Sequence, residues 1–192
     1  MKLIIASNNA HKIKEIKKIL GTHFDEILSL KDAKIEHETV EDGETFMENA
    51  RKKAREIANI SGECALADDS GICVDFLSGA PGIFSARFAG EHGNDQKNNE
   101  LLLSKLENTE DRSAHYTAAI SLCYPDGKLL EAEGYLYGKI IRTPRGDGGF
   151  GYDPIFVPSG ETRTVAEMTD EEKNKISHRA SALNKLLSLL NL

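Results

Sequence analysis

The sequence lacks the features of membrane-spanning, exported and disulfide-stabilised proteins. Its 192 residues contain no run of eighteen apolar residues, so no transmembrane helix is expected. Only four apolar residues follow Lys2 before a polar turn, which is too few for the apolar region of a signal peptide. The three cysteines, Cys64, Cys73 and Cys123, lack C-x-x-C spacing. They are expected to be reduced thiols in the cytoplasm, and they indicate neither a disulfide framework nor a zinc site.

Basic residues are scarce relative to acidic ones. The chain has 24 Lys and Arg against 31 Asp and Glu, and the formal charge of −7 excludes a general basic coat for nucleic acid. The imbalance is uneven, because residues 1–60 carry 11 basic and 11 acidic side chains and the whole acidic excess lies in residues 61–192. One small phosphorylated ligand is still compatible with this charge, since its site needs only a few local cations.

The order of apolar runs and helical patterns indicates a mixed α/β fold. A hydrophobic fraction of 40% and a charged fraction of 29% are typical of a globular chain. With no linker, repeat or low-complexity segment, residues 1–192 are expected to form a single domain. The expected strands are 3–6, 64–67 and 154–157, the helices are 11–20, 45–60 and 95–106, a hairpin joins 115–124 to 128–141, and a last helical region from Thr169 is interrupted near Ser177.

A polar turn, residues 7–12, connects the first strand to the first helix. The free N–H groups and positive dipole of a helix N-terminus favour an anion, and Lys12 and Asn9 add a charge and an amide donor there. The same sequence suits a simple N-cap, in which Asn8 or Asn9 accepts the first helical N–H groups. The turn alone leaves both interpretations open.

Lys53 lies in an otherwise apolar stripe of the second predicted helix. Spacings of four, three and four residues place it in one narrow sector with Phe46, Ala50 and Ile57. A lysine in this position either extends its amine to water or meets a negative partner. The pattern does not choose between these two outcomes.

Asp68 and Asp69 follow the predicted strand 64–67, at the edge where ligands collect in open α/β sheets. Because neighbouring strand residues face opposite ways, one carboxylate is expected to face a ligand and the other a basic or backbone partner. A carboxylate here suits Mg²⁺, which takes few protein oxygens together with water and substrate phosphates. The acidic cluster 41–44 could supply a second ligand, or could serve only as a partner of the helix dipole.

Two further segments carry groups suited to a flat, polar ligand. Residues 146–154 contain four glycines around Phe150, which offers a stacking surface, although an ordinary glycine-rich loop has the same composition. Lys173, His178 and Arg179 form a group of donors near a helix junction, and Lys and Arg favour a carbonyl over an amino group. A solvated basic face is the alternative for this second segment.

Six motifs span nearly the whole chain in a fixed order. They are Ser7-x-Asn9-x-x-Lys12, residues 44–50 (ETFMENA) with Lys53, residues 67–71 (ADDSG), residues 79–87 (GAPGIFSAR), residues 149–154 (GFGYDP) and residues 177–179 (SHR). In this combination the sequence resembles the noncanonical purine nucleoside triphosphate pyrophosphatases, the inosine/xanthosine triphosphate pyrophosphatase family. Two departures are small: Asn8 stands where many members have Gly, and Ser7 where many have Thr.

The resemblance implies an elongated α/β fold, with a twisted central sheet flanked by helices and a second lobe that forms a deep cleft. It implies a cytoplasmic homodimer that needs Mg²⁺ and cleanses the nucleotide pool. The implied reaction is hydrolysis of ITP, dITP and XTP to the monophosphate and pyrophosphate. Two alternatives stay open: a nucleotide-binding module without turnover, and a pyrophosphatase of other modified nucleotides.

The resemblance also assigns residue roles. Asp69 corresponds to the catalytic, metal-associated carboxylate, with Glu41 as the second metal ligand and Asp68 as support. The turn 7–12 and Lys53 are implied to contact the triphosphate. Residues 150–153, together with Lys173, His178 and Arg179, are implied to hold the base. The implied substrate-binding residues are Ser7, Asn8, Asn9, Ala10, His11, Lys12, Lys53, Ser70, Phe150, Gly151, Tyr152, Asp153, Lys173, His178 and Arg179.

Overall fold

A computed structural model describes residues 2–21 and 23–190 of the chain. Within them the chain forms a six-stranded sheet and five α-helices. The strands are β1 (Lys2–Ile5), β2 (Glu26–Ser29), β3 (Cys64–Val74), β4 (Ser113–Cys123), β5 (Leu129–Ile140) and β6 (Phe156–Pro158). The helices are α1 (Ala10–Leu20), α2 (Phe46–Ser61), α3 (Asp95–Lys105), α4 (Asp170–Ile176) and α5 (His178–Leu189).

The sheet is mixed, with strand order β2-β1-β3-β4-β5-β6. β1 pairs in parallel with β2 on one side and β3 on the other, so that Leu3 lies opposite both Ile27 and Cys64. β4 and β5 are neighbours joined by the turn 124–128, and β5 pairs with β6 in antiparallel fashion. The predicted α/β class with a mixed central sheet and flanking helices is confirmed.

One strand prediction was wrong, and one strand was not predicted. The strand expected over 64–67 continues to Val74, so Asp68 and Asp69 lie inside β3 and not at its end. The carboxylates are tolerated there because basic side chains and an amide from neighbouring elements satisfy them. The strand β2 was missed, since its four residues, Glu26–Ser29, are too few for a recognisable alternation.

Capping groups set the helix limits much as predicted. Thr45 caps α2 and forms a capping box with Glu48, and Gly62 ends the helix in the left-handed conformation. Thr169 forms the second predicted capping box, at the start of α4. The expected interruption falls at Ser177, which separates α4 from α5.

The chain divides into two compact units, each with its own core. Unit 1 comprises the described residues of Met1–Asp69, Ala118–Gly134 and Arg179–Leu192, and its apolar core includes Leu3 and Leu66. Unit 2 comprises Ser70–Thr117 and Tyr135–His178, and its core is built around aromatic and aliphatic side chains from β3 to β6. Within residues 2–21 and 23–190, no helix has both the length and the apolar character needed to cross a membrane.

Candidate active site

Asp68 is a fully buried carboxylate shared by two cations of unit 1. Its Oδ1 lies 2.6 Å from Lys12 Nζ, and its Oδ2 accepts a hydrogen bond of 3.0 Å from Arg179 Nε. Arg179 is also buried and donates to Glu15 of α1. Burial acts to raise the pKa of Asp68, but the charges of Arg179 and Lys12 hold it well below its ordinary value. Asp68 therefore stays ionised and connects β3 to α1 and α5.

Asp69, the next residue of β3, meets different partners because side chains alternate along a strand. Asn49 Nδ2 donates to its Oδ2 at 3.2 Å, and Lys53 Nζ lies 3.2 Å from its Oδ1. The same Lys53 amine donates to Glu41 Oε1 at 2.7 Å and to the main-chain oxygen of Asp68 at 2.9 Å. Burial raises the pKa of Asp69, while the charge of Lys53 opposes that rise. The lysine of the apolar stripe thus meets negative partners and does not simply extend to water.

Glu41 and Asp69 are the residues that could hold a metal ion in unit 1. Their carboxylate oxygens converge on one amine, that of Lys53. Two carboxylates fit a hard cation such as Mg²⁺, which completes its shell with water and substrate phosphates. The three side chains carry a formal charge of −1, which a divalent ion would change to +1, the sign that favours a phosphate. No group of three or more His, Cys, Asp or Glu suited to a metal occurs in residues 2–21 and 23–190.

The polar turn before α1 is organised by Asn9. Its Oδ1 accepts hydrogen bonds from the N–H groups of His11 at 3.0 Å and Lys12 at 3.1 Å, and its own N–H donates to Ser7 Oγ at 3.1 Å. Of the two caps that the sequence allowed, Asn9 is the one used. Residues 8–11 are exposed, and their contact with a phosphate stays a prediction.

Asp153 organises the glycine-rich loop of unit 2. Its Oδ1 accepts a hydrogen bond of 3.1 Å from the buried Tyr116 hydroxyl. Its Oδ2 accepts from Lys173 Nζ at 2.8 Å and from the Phe150 N–H at 3.0 Å. Gly149 adopts a φ of +72°, and a Cβ at this position would collide with the Asp153 carboxylate. The loop is therefore a specific structure and not an ordinary glycine-rich connection.

A cation and several rings surround this carboxylate. Lys173 Nζ lies 4.4 Å from the centroid of the Phe150 ring. The His178 ring stacks on Tyr116, with the centroids 4.7 Å apart and the planes within 9°. Tyr152 is buried beside them in the core of unit 2. This group can offer a ring surface and a charged donor, which suits a flat ligand that carries a carbonyl.

Two predicted substrate residues have positions that their motifs did not indicate. Ser70 lies half-buried inside β3, directly after Asp69. Arg179, which the resemblance groups with the base-binding donors, directs its guanidinium to Asp68 and Glu15 in unit 1. Contact of either residue with a substrate stays a prediction.

Sequence reasoning missed Asn49 and Tyr116 as members of these clusters. Asn49 is buried and lies four residues before Lys53 on α2, and this spacing is the signal that could have linked the two. Its amide connects the main chain before α2 to Asp69. Tyr116 lies in β4 with no motif around it, and only the fold brings it to Asp153, 37 residues away.

Comparisons with known proteins agree over nearly the whole chain. Residues 3–189 match the Ham1 family. A Clostridium perfringens protein named dITP/XTP pyrophosphatase is 52% identical over 193 residues, covering 96% of this chain and 95% of that protein. The solved structure of the Staphylococcus aureus Ham1 protein has a TM-score of 0.89 at 40% identity, and that of a HAM1 protein from Coxiella burnetii has 0.90 at 38%. In both cases 100% of this chain and 98% of the other are covered. The family resemblance inferred from the motifs is thereby confirmed, and the chain belongs to the Ham1 family.

Proposed function

We propose that this chain hydrolyses ITP, dITP and XTP to the nucleoside monophosphate and pyrophosphate, and so removes deaminated purine nucleotides before polymerases use them. The observation that carries the proposal is the nearly full-length similarity to relatives named dITP/XTP pyrophosphatase. The side chains support it, because unit 1 carries charges suited to a triphosphate and unit 2 carries rings and a donor suited to a purine.

Lys12, Lys53 and the turn 7–11 bind the triphosphate in this proposal. Lys12 can turn from Asp68 to a phosphate oxygen without leaving a buried charge unpaired, because Arg179 still neutralises that carboxylate. Asp68 thus acts as a support that keeps the lysine amine at the site. The N-terminus of α1 adds its positive dipole end to the same anion.

Glu41 and Asp69 are the proposed ligands of Mg²⁺. Carboxylate oxygens are the hard ligands that Mg²⁺ prefers, and the amine of Lys53 beside them is suited to a phosphate. When bound, the ion supplies positive charge to the phosphate oxygens. Asn49 fixes the second oxygen of Asp69, which leaves that carboxylate in one orientation.

The proposed reaction is substitution at the α-phosphorus, with pyrophosphate as the leaving group. Negative charge grows on the leaving oxygens, and the amines of Lys12 and Lys53 stabilise it. Asp69 orients or deprotonates the attacking water. Each role uses a side chain held by at least one polar partner in unit 1.

Base selectivity comes from donor side chains of unit 2 and of the first residues of α5. The purine stacks on Phe150, and Lys173 donates to the 6-oxo group of hypoxanthine or xanthine. Adenine presents an amino donor there, and leaving a buried donor unmatched costs about 1–3 kcal/mol, or about 5- to 150-fold. The remaining base contacts are assigned to Tyr152, Asp153, His178 and Arg179, and Ser70 and Gly151 are assigned further contacts with the substrate.

The test is pyrophosphate release with Mg²⁺ from ITP, dITP, XTP, GTP, ATP and dTTP, run beside Asp69→Asn. We expect ITP, dITP and XTP to be preferred, and the variant to lose turnover because its amide is a weaker metal ligand. Equal rates on ATP and ITP would contradict the proposed selectivity for 6-oxo purines. Nucleotide binding without pyrophosphate release would favour the non-catalytic module, and full activity of Asp69→Asn would remove this residue from the mechanism.

The same proposal extends to the whole chain. Residues 1–192 act as one pyrophosphatase domain in this proposal, which the match of residues 3–189 to a single family supports. We propose a homodimer, which a solution mass twice that of one chain would test. The cytoplasm is the proposed compartment, because the cysteine pattern favours reduced thiols and the substrates belong to the free nucleotide pool.

A further inference from the structure

One helix of unit 2 holds both backbone polar groups of Gly151. Asp95 Oδ2 accepts a hydrogen bond of 2.6 Å from the Gly151 N–H, and Asn99 Nδ2 donates to the Gly151 carbonyl at 3.0 Å. Asp95 and Asn99 are four residues apart on α3, so they lie on the same face of that helix. Gly151 directly follows Phe150, whose ring faces the Lys173 amine. The peptide beside the proposed stacking ring is thus fixed by α3.

Open space lies where a side chain of residue 151 would project. Its φ is +64°, and a Cβ placed on it would have no atom of the described residues within 4 Å beyond its chain neighbours. Its neighbours are held by different partners: the Phe150 N–H donates to Asp153, and the Tyr152 hydroxyl donates to the Ser85 carbonyl at 2.8 Å. The two bonds to α3 therefore hold the N–H and the carbonyl of Gly151, alongside a longer bond of 3.3 Å from the Asp153 N–H to the Phe150 carbonyl.

We propose that Asp95 and Asn99 are positioning residues for recognition of the base, acting through the Gly151 backbone on the orientation of Phe150. This inference rests on the proposed function and adds α3 to the groups that decide substrate affinity. Neither side chain needs to touch the nucleotide, because both act on the loop that carries the stacking ring. The triphosphate contacts in unit 1 are independent of these two bonds.

The test compares dITP with a ligand that has no base. Asp95→Ala should raise the KM for dITP about tenfold, as expected for loss of one hydrogen bond to a charged acceptor, and should change kcat by less than about twofold. Inorganic tripolyphosphate, as a competitive inhibitor, should keep its inhibition constant. Asn99→Asp should act in the same way, since a carboxylate then faces the Gly151 carbonyl and donates nothing.

Matched variants separate positioning from helix stability. Asp95→Asn keeps an oxygen acceptor for the Gly151 N–H but loses the charge, and its KM should stay close to that of the unaltered chain. Gln96→Ala and Glu100→Ala remove the exposed pair bonded at 2.9 Å along another face of α3, and they should leave KM unchanged. The midpoint of thermal unfolding of each variant reports any general loss of structure.

The inference is overturned if Asp95→Ala and Asn99→Asp leave the KM for dITP unchanged. It is also overturned if tripolyphosphate inhibition weakens as much as dITP binding, or if Asp95→Asn behaves like Asp95→Ala. Calorimetric binding of dIMP gives the same comparison without turnover, with an expected rise in Kd of about tenfold for Asp95→Ala. If the unaltered chain releases no pyrophosphate from dITP, the proposed function fails, whereas the dIMP titration still decides the role of Asp95.

Discussion

At the scale of single residues, the centre in unit 1 is built from charges that share partners. Lys53 contacts two carboxylates and a carbonyl oxygen, while Asp68 contacts two cations. A shared partner lets one contact open for a ligand while the other persists, so neither group is left buried and unpaired. In the proposed mechanism, the amines of Lys12 and Lys53 can turn to a phosphate while Asp68 and Asp69, in the buried strand β3, keep Arg179 and Asn49 as partners.

Lys53→Met tests the role of the shared amine. We expect kcat/KM for dITP to fall about 100- to 1,000-fold, because a fixed positive donor to the triphosphate is lost. Steady-state pyrophosphate release measures the effect. Lys52→Met is the matched control, since its amine bonds Asp42 at the surface, and its kcat/KM should change by less than about twofold. Equal losses in the two variants would contradict a specific role for Lys53.

Residue patterns predicted some of these contacts and could not predict others. The apolar stripe around Lys53 implied water or a negative partner, and strand alternation implied that Asp68 and Asp69 face different ways. The identity of the partners depends on the fold, as with Arg179, which meets Asp68 across 111 residues of sequence. No local pattern encodes a contact of that separation.

At the scale of elements, the sequence predicted the capping groups of the helices but not the limits of the strands. Thr45 and Thr169 start α2 and α4 as predicted, because a capping box is a local arrangement of four residues. β3 runs past the expected stop, because its polar residues are satisfied by side chains from other elements. The partners that other elements supply, and not the composition of the strand alone, decide where such a strand ends.

Thr45→Ala tests the contribution of the α2 cap. The free energy of unfolding should fall by about 1 kcal/mol, because the Glu48 N–H loses its 3.1 Å bond to the Thr45 hydroxyl. Urea denaturation measures the change. Thr45→Ser retains the hydroxyl and should restore most of the lost stability; a serine variant as unstable as the alanine variant would argue against the cap.

At the scale of the whole molecule, the charge of −7 is compatible with an anionic substrate because the relevant charges are local. The acidic excess lies after residue 60, whereas Lys12 and Lys53 belong to the neutral first part of the sequence. Glu41 and Asp69, the proposed metal ligands, would be neutralised by the ion. The net charge therefore argues against coating a polyanion and leaves room for one triphosphate.

The whole chain should lose stability in acid. The pKa of Asp68 is held low against its burial by Arg179 and Lys12, and that of Asp32 is lowered to about 2 by hydrogen bonds from Ser29. A pKa lowered by folding adds stability above the unfolded value of about 4, and this stability is lost as the pH falls through the folded value. Burial raises the pKa of Asp69, so this residue acts on stability in the opposite direction.

Urea midpoints measured from pH 5 to pH 2 should therefore fall steadily, because more of these carboxylates have lowered than raised pKa values. A midpoint that stays level or rises over this range would show that these lowered pKa values add no net stability.

Hydrolysis of dITP in ¹⁸O-labelled water, with the products separated by mass spectrometry, tests the proposed reaction most directly. Attack of water on the α-phosphorus predicts equal amounts of dIMP and pyrophosphate, with the label in dIMP alone. Label in the pyrophosphate, or release of orthophosphate with dIDP, would contradict the proposed reaction.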